Sequence, residues 1–145
     1  TMVSKIVDDT LGLCRQRILN NNIKLTVDVQ DDIKINCSSV QISQVLMNLI
    51  GNSIDAIEFD EEKWIRVECK KEDHAVHISI IDSGTGIPQE ILQRITEPFF
   101  TTKQVGRGTG LGLSISKGIV EKHGGQLKYA LHEGHTKFTL LFKII

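Results

Sequence analysis

The sequence lacks any run of apolar residues close to the ~18 that a membrane-spanning helix needs. It also lacks the apolar segment of a signal peptide, because Lys5, Asp8 and Asp9 interrupt the N-terminus. Charge of one sign is not in excess, since 17 basic residues stand against 18 acidic ones. This balance offers no electrostatic basis for binding nucleic acid or an anionic membrane. We therefore expect a cytoplasmic domain without a nucleic-acid partner, excised from a longer protein that is either soluble or membrane-anchored.

Cysteine is scarce as well. Cys14, Cys37 and Cys69 are widely spaced and form no CxxC pair, which matches neither a disulfide framework nor a zinc site. Each lies in an apolar-patterned segment, so we expect buried free thiols. The 145 residues are 40% apolar, which is enough for one compact domain spanning residues 1–145.

Apolar residues recur with helical or strand periods along most of the chain. Helical spacing predicts helices over residues 3–19, from Ser38 or Ser39 to Ile57, from Pro88 to Ile95, and from about Leu111 to an end at His123 and Gly124. Alternation predicts strands near residues 23–29, 33–35, 65–69, 76–81, 127–131 and 138–142. The core face of the second helix is assigned to Val45, Leu46, Leu49, Ile50, Ala56 and Ile57. This order predicts an α+β fold, a two-layer α/β sandwich whose mixed, mostly antiparallel sheet carries its helices on one face.

The second predicted helix carries an unusual polar face. Asn48 and Asn52 are four residues apart and Asp55 follows three later, so these side chains share one side. Gly51, Asn52 and Ser53 are weaker helix formers than alanine, glycine by ~1 kcal/mol. A carboxamide oxygen is a ligand that Mg²⁺ accepts beside phosphates and water. On its own, the pattern fits a solvated polar face equally well.

A second motif, Asp82-Ser83-Gly84-Thr85-Gly86-Ile87-Pro88, directly follows an apolar strand. A carboxylate at a strand end can accept a hydrogen bond from the exocyclic amine of adenine, which guanine lacks at that position. Two glycines allow a tight turn and let the backbone approach a flat ligand closely. Taken alone, the motif is more typical of an ordinary glycine-rich turn.

The stretch Glu97–Lys103 has no periodicity but contains Phe99 and Phe100 side by side. If buried, each would anchor a mobile loop by ~1.5–3 kcal/mol. Lys103 would then be placed to neutralise a terminal phosphate, although a single loop lysine is more commonly solvated.

A glycine-rich stretch, Gly106–Leu113, opens the next helix. Such backbone at a helix N-terminus offers unpaired N–H groups and the positive end of the dipole to a phosphate. The stretch is neither a Walker A loop nor a Rossmann fingerprint, and a flexible loop is the alternative interpretation.

In this order, the four stretches resemble the N, G1, F and G2 boxes of the catalytic domain of bacterial two-component sensor histidine kinases. These kinases belong to the ATPase superfamily that includes gyrase, Hsp90 and MutL. The resemblance covers nearly the whole chain, and its most specific parts are Glu97–Lys103 and Gly108–Leu113. It implies the Bergerat-type ATP-binding fold, with ATP and Mg²⁺ as cofactors. It also implies transfer of the γ-phosphoryl group to a histidine on a separate dimerisation domain, with a response regulator receiver domain as an indirect partner.

The resemblance assigns roles to individual residues. Asn52 would coordinate Mg²⁺, with Asn48 supporting the phosphate–metal cluster, and Asp82 would read the adenine amine. Lys103 would act on the phosphates, whereas Asp55 is assigned to packing and helix orientation. The other residues implied in nucleotide binding are Gly84, Gly86, Ile87, Thr102, Gly108, Thr109, Gly110, Leu111, Gly112 and Thr136.

The sequence departs from the superfamily in several ways. Asn48 stands where gyrase and Hsp90-type ATPases carry a glutamate that activates water; an amide cannot act as a general base, so we expect slow hydrolysis. Ser53 and Ser83 replace the family's frequent Ala and Asn. No dimerisation helix with an acceptor histidine is found, so the fragment should be monomeric and unable to autophosphorylate alone, unlike its homodimeric parent. The run His132-Glu133-Gly134-His135 is assigned to a solvated hairpin turn.

Two other functions stay open at this point. A binding module would use ATP only to order the loop, and a serine kinase of the anti-sigma type would share the nucleotide pocket. An acid-labile phosphoprotein formed with an acceptor domain would separate the histidine kinase from both.

Overall fold

The computed structural model of the protein describes residues 1–30, 32–87 and 112–143. The predicted helix from Pro88 to Ile95 lies outside these ranges. The elements within them are α1 (Val3–Asn20), β1 (Lys24–Val29), α2 (Ser39–Ile57), β2 (Trp64–Glu72), β3 (Ala75–Asp82), α3 (Gly112–Lys122), β4 (Gln126–His132) and β5 (His135–Lys143).

The strands form one five-stranded sheet in the order β1-β2-β3-β5-β4. β1 and β2 run parallel, because α2 lies between them in the chain and returns it to the same end of the sheet. The other three neighbouring pairs are antiparallel. The predicted mixed, mostly antiparallel sheet is therefore confirmed.

One face of this sheet forms the core with the helices. Alternate residues of the central strands, such as Val67, Ile78 and Leu140, are at most 1% exposed and belong to one cluster with buried residues of the helices. α1 packs on α2, which also packs on α3 and β3, and α3 packs on β4. The two-layer sandwich predicted from the periodicities is thus confirmed.

The ends of the elements follow local chemistry. Ser38 precedes α2, and its hydroxyl accepts the N–H of Gln41 at 3.3 Å, as an N-cap does. The β2–β3 turn places Asp73 and His74 at φ values of 52° and 62°, a geometry suited to tight hairpins. These turns fix the register in which β3 delivers its last residue to one end of the sheet.

Three details of the sequence prediction are wrong. Residues 33–35 do not form a strand; Lys34 makes only an isolated bridge with Met2, while Ile33 and Ile35 are 1% exposed. Their alternation reflects burial against the start of α1. Ala56 is exposed, because the α2 helix turns it away from the sheet. Val27 belongs to the apolar alternation that predicted a half-buried strand over residues 23–29, but it is 43% exposed because β1 is an edge strand.

The cysteines are free thiols, as predicted, but only Cys14 and Cys69 are buried, whereas Cys37 is half-buried. Burial raises the pKa of the Cys69 thiol to about 11, which disfavours the reactive thiolate. In the part of the chain that the structure describes, no helix is long and apolar enough to cross a membrane.

Candidate functional site

The last residue of β3, Asp82, is a buried carboxylate. It is 2% exposed and lies opposite Ile65 on the face that carries the helices. Its Oδ1 accepts the N–H of Gly84 at 2.8 Å. A carboxylate at the end of a buried strand is thus held by the backbone that follows it, as in an Asx-turn.

The electrostatics of Asp82 are dominated by its burial. Loss of solvent raises the pKa of this carboxyl above its ordinary value, and the Ser53 hydroxyl of α2, the Gly84 N–H and the nearby His135 act in the opposite direction. Asp60 adds to the upward shift. Because a buried charge is costly unless it is paired, the carboxylate favours a ligand that brings further hydrogen-bond donors.

The segment that follows Asp82, residues 83–87, is here named the Asp82 loop, and it crosses the ends of two other strands. The Thr136 N–H of β5 donates to the Gly84 carbonyl at 3.3 Å, and the Gly86 N–H donates to the Thr136 hydroxyl at 3.0 Å. The next amide, Ile87 N–H, donates to the Tyr129 hydroxyl of β4 at 2.8 Å. The loop therefore lies along the sheet end from β3 over β5 to β4.

Two glycines permit this path. Gly86 has a φ of 100°, and a Cβ atom there would lie 2.7 Å from Leu131 Cδ2. A Cβ on Gly84 would lie 2.7 Å from Asp82 Oδ1. Only glycine allows the positive φ and both approaches without displacing these neighbours.

The predicted polar face of α2 lies beside this loop. Ser53, next to Asn52, is 4% exposed and contacts Asp82. One turn earlier, Asn48 donates its Nδ2–H to the Ser116 hydroxyl of α3 at 3.0 Å. Asn48 and Asn52 are both half-buried. α2 thus brings the amide pair between the Asp82 loop and the first turns of α3.

Asp55 points to a different neighbour. Its Oδ1 accepts a hydrogen bond from Arg17 Nη2 of α1 at 2.5 Å. Arg17 also lies over Gly51, where a Cβ would be 3.3 Å from its Nη1. This ion pair joins α1 to α2 and agrees with the assignment of Asp55 to helix orientation.

The amide oxygen of Asn52 in α2, supported by Asn48, is the predicted ligand for a metal ion at this site. Within the described residues, no group of three or more His, Cys, Asp or Glu side chains could hold a metal by itself. Asn48 commits its Nδ2 to Ser116, so that Oδ1 is its remaining polar side-chain atom. Neutral amide oxygens together with nucleotide phosphates suit Mg²⁺, and the residues present fit that ion as part of a nucleotide complex.

The side of the loop away from the helices is tied to β2. The Ser83 hydroxyl accepts the Trp64 N–H at 3.1 Å and donates to the Glu62 carbonyl at 3.2 Å. His135 Nδ1 lies 3.1 Å from the Gly84 carbonyl, and its ring contacts the Trp64 ring edge-to-face at 4.9 Å. The predicted β4–β5 turn is confirmed, but His135 is packed rather than solvated, because Trp64 reaches it across the sheet.

A groove of about 570 Å³ lies on the sheet face opposite the helices, lined among others by Trp64, Arg66 and Ile81. Of the predicted site residues that the structure describes, none lines this groove. Asp82, by contrast, lies on the face of the sheet that carries the helices.

The described residues bring together part of the predicted site. The predicted site residues that the structure describes lie in α2, the Asp82 loop, the start of α3 and β5. They are Asn48 and Asn52 in α2, Asp82, Gly84, Gly86 and Ile87 at the loop, Gly112 at the start of α3, and Thr136 in β5. The other predicted site residues lie outside the described ranges: Thr102, Lys103, Gly108, Thr109, Gly110 and Leu111. Sequence reasoning missed Tyr129 and Ser116, which carry no motif. It noted Ser53 as a weak helix former and as a departure from the family, but not as a contact of Asp82.

Comparison with known proteins agrees with this arrangement. The family model described as Histidine kinase-, DNA gyrase B-, and HSP90-like ATPase matches residues 37–144. Sporulation kinase E of Bacillus subtilis is 35% identical over 133 residues, which cover 91% of this chain and 18% of that protein. The chain therefore spans less than a fifth of that relative.

Solved structures show the same likeness. The nucleotide-free catalytic domain of the histidine kinase ThkA has a TM-score of 0.87 and 30% identity, covering 99% of this chain and 95% of that one. ThkA in complex with the response regulator protein TrrA has a TM-score of 0.82 and 26% identity, covering 100% of this chain and 41% of that one. The chain belongs to the family of histidine kinase-, DNA gyrase B- and HSP90-like ATPases, and within it resembles the catalytic domains of sensor histidine kinases.

Proposed function

We propose that the chain is the ATP-binding catalytic domain of a sensor histidine kinase, which donates the γ-phosphoryl group of Mg-ATP to a histidine on a separate dimerisation domain. The observation that carries the proposal is the buried Asp82 carboxylate, fixed by Gly84 and set beside the Asn48–Asn52 face of α2. Family membership supplies the ATPase chemistry, and the burial supports a base-reading role for the carboxylate.

The proposed division of labour follows the geometry. Asp82 accepts a hydrogen bond from the exocyclic amine of adenine. Gly84, Gly86 and Ile87 of the loop, which is bonded to Thr136 of β5, surround the base. Asn52, supported by Asn48, holds Mg²⁺ through its amide oxygen. The phosphates are assigned to Thr102, Lys103, Gly108, Thr109, Gly110, Leu111 and Gly112.

When bound, Mg²⁺ would neutralise phosphate charge as the γ-phosphoryl group moves. The chain's own residues bind and orient the nucleotide, because phosphoryl transfer requires mainly positioning and charge neutralisation. Asn48 carries an amide, which is not basic enough to remove a proton from water. Its Nδ2 is also bonded to Ser116. The phosphoryl group is thereby kept for a protein acceptor rather than lost to hydrolysis.

The partners belong to the same proposal. ThkA has been solved with the response regulator protein TrrA, and we propose a receiver domain as the indirect partner of this chain. The direct partner is the dimerisation domain that carries the acceptor histidine. Residues 1–145 form one catalytic domain, which is monomeric alone, whereas the parent protein is a homodimer.

Calorimetric titration with ATP and GTP, each with and without Mg²⁺, tests the pocket. We expect ATP to bind, and Mg²⁺ to strengthen its binding. GTP should bind at least about tenfold more weakly, because guanine has no amine at the position from which adenine donates a hydrogen bond to Asp82. Absence of ATP binding by the folded protein would refute the proposal.

A second experiment tests the reaction itself. The domain is mixed with a dimerisation domain of a related kinase and radiolabelled ATP, with an acceptor His→Ala variant as control. An acid-labile, alkali-stable phosphoprotein is expected with the wild-type acceptor alone. Acid-stable phosphate would indicate a serine kinase instead, and ATP binding without transfer to any acceptor would indicate a binding module.

A further inference from the structure

Tyr129 occupies a fixed position on the edge strand β4. It pairs with Phe138 of β5, and the two rings lie 5.4 Å apart at an interplanar angle of 54°. The ring is partly buried against the hydrophobic core. Aromatic packing of this kind leaves the side chain few alternatives, so the direction of the hydroxyl is set by the core.

The hydroxyl meets the far end of the Asp82 loop. It accepts the Ile87 N–H at 2.8 Å, and a Cβ on Gly86 would lie only 3.0 Å from it. The preceding amide, Gly86 N–H, bonds to the Thr136 hydroxyl at 3.0 Å. Two consecutive loop amides are thus held by side chains of two different strands.

The two ends of the loop are therefore fixed independently. Asp82 and Gly84 hold the beginning through their 2.8 Å bond, whereas Thr136 and Tyr129 hold the end. Without the phenolic oxygen, Ile87 N–H would lose this partner, and of the two described side-chain hydrogen bonds at this end of the loop only the one to Thr136 would remain, beside the packing of Ile87 against the core. A loop freed at one end samples more conformations, and ligand binding must then offset the entropy lost on ordering it.

We infer that Tyr129 is a positioning residue of the nucleotide pocket, which acts through Ile87 N–H to hold the base-binding loop in its binding conformation. The inference rests on the proposed function, since it assigns the loop to the adenine base. Tyr129 does not touch the reacting phosphates in this assignment. Its removal should weaken all adenine nucleotides alike.

The test compares Tyr129→Phe, which keeps the ring and removes only the hydroxyl, with the wild type. We expect Kd to rise about three- to tenfold for ATP, ADP and AMP alike, as the loss of one hydrogen bond implies. The Ile87 amide should exchange with deuterium faster, whereas amides of β3 should not change. Thermal unfolding of both proteins is measured to record any loss of stability.

Thr139→Val is the matched control. Like Tyr129→Phe, it removes the hydroxyl of a half-buried residue, here in β5, and that hydroxyl is bonded to Ser79 at 3.0 Å on the opposite face of the sheet. We expect it to lower stability without changing nucleotide affinity. If Tyr129→Phe binds ATP like the wild type, or if Thr139→Val weakens ATP equally, the inference is overturned. If the wild type itself fails to bind ATP, the proposed function fails, whereas unequal effects on ATP and AMP would overturn only the role of Tyr129 at the base.

Discussion

The side-chain amide of Asn48 in α2 donates a hydrogen bond of 3.0 Å to the hydroxyl of Ser116 in α3. Ser116 is 2% exposed, so this bond joins the two helices inside the helical layer. Asn48 is therefore a structural tie as well as a residue proposed to support the phosphate–metal cluster. These two roles can be separated by measuring stability and nucleotide affinity on the same variants.

Replacement of Asn48 by alanine should lower the free energy of unfolding by about 1–3 kcal/mol, because the buried Ser116 hydroxyl loses its donor. Ser116→Ala should cost less, and the double variant should cost less than the sum, with a coupling energy of about 1 kcal/mol. Urea unfolding of the four proteins measures this cycle. Full additivity would show that the bond contributes nothing, while ATP affinity should fall with Asn48→Ala and stay near the wild-type value with Ser116→Ala.

Asp82→Asn should uncouple stability from binding. The folded-state pKa of Asp82 is raised, chiefly by burial, so the carboxyl in the folded protein holds its proton to a higher pH than in the unfolded chain. Its contribution to stability is then most favourable at low pH and declines as pH rises through the interval between the two pKa values. The neutral amide introduced by Asp82→Asn removes that cost at neutral pH.

We therefore expect the unfolding free energy of Asp82→Asn at pH 7 to equal or exceed that of the wild type. ATP affinity should fall about 10- to 100-fold, because a charge-assisted bond to the adenine amine is lost. Chemical denaturation at several pH values and calorimetry measure the two quantities. Ser79→Ala, a buried polar change on the opposite sheet face, is the control for affinity. A variant that is less stable but binds ATP normally would contradict both expectations.

Much of this fold follows from the sequence because its elements have clean periods. Helical spacing over residues 3–19 predicted α1, and the apolar residues that recur at this spacing are all buried: Val3, Val7, Leu11, Cys14 and Ile18. Strands β2 to β5 alternate because one sheet face packs on the helices. The failures have tertiary causes. Ile33 and Ile35 alternate with Lys34 because both are buried, although Lys34 forms only an isolated bridge with Met2 and no strand. Val27 is exposed because β1 lies at the edge of the sheet.

The candidate site was predictable where chemistry demands particular residues. Asp82 and the glycines of its loop are recognisable because a carboxylate at a strand end is followed by two closely spaced glycines, and the structure gives Gly86 a positive φ that suits glycine. Tyr129 and Ser116 are not, because a tyrosine on a strand and a serine in a helix fit many environments. Their roles depend on the order β3-β5-β4 and on the packing of α2 against α3, which no local pattern encodes.

Two glycines should respond in opposite ways to alanine. Among the described atoms outside its own helix backbone, a Cβ on Gly51 would meet only Arg17 Nη1, at 3.3 Å. The Arg17 side chain is 50% exposed and can move. Since alanine gains about 1 kcal/mol over glycine inside a helix, Gly51→Ala should raise the unfolding free energy by about 0.5 kcal/mol, with part of the helical gain lost to the displaced ion pair. A Cβ on Gly125 would lie 2.5 Å from the Leu141 carbonyl oxygen.

Backbone cannot move aside as a side chain can, so Gly125→Ala should cost about 1–3 kcal/mol. Denaturant unfolding of both variants gives the comparison. Gly118→Ala is the control for helix propensity, because a Cβ there would meet no described atom within 4 Å outside its own helix backbone. Destabilisation by Gly51→Ala alongside stabilisation by Gly118→Ala would show that the Arg17 ion pair outweighs the helical gain.

His123 joins the end of α3 to the start of α2. Its Nδ1 lies 2.8 Å from the Ile119 carbonyl, and its Nε2 accepts the Ser38 N–H at 3.1 Å. This pattern requires a neutral ring with its proton on Nδ1, because an imidazolium carries protons on both nitrogens and cannot accept from Ser38. His123→Ala should therefore lower the unfolding free energy by about 1–2 kcal/mol through the loss of both bonds. His132→Ala, at the end of β4, should change it by less than about 0.5 kcal/mol. Urea unfolding at neutral pH measures the difference, and ¹⁵N spectra of the histidine rings report the tautomer; a proton on Nε2 of His123, or equal effects of the two substitutions, would contradict the proposed link between the helices.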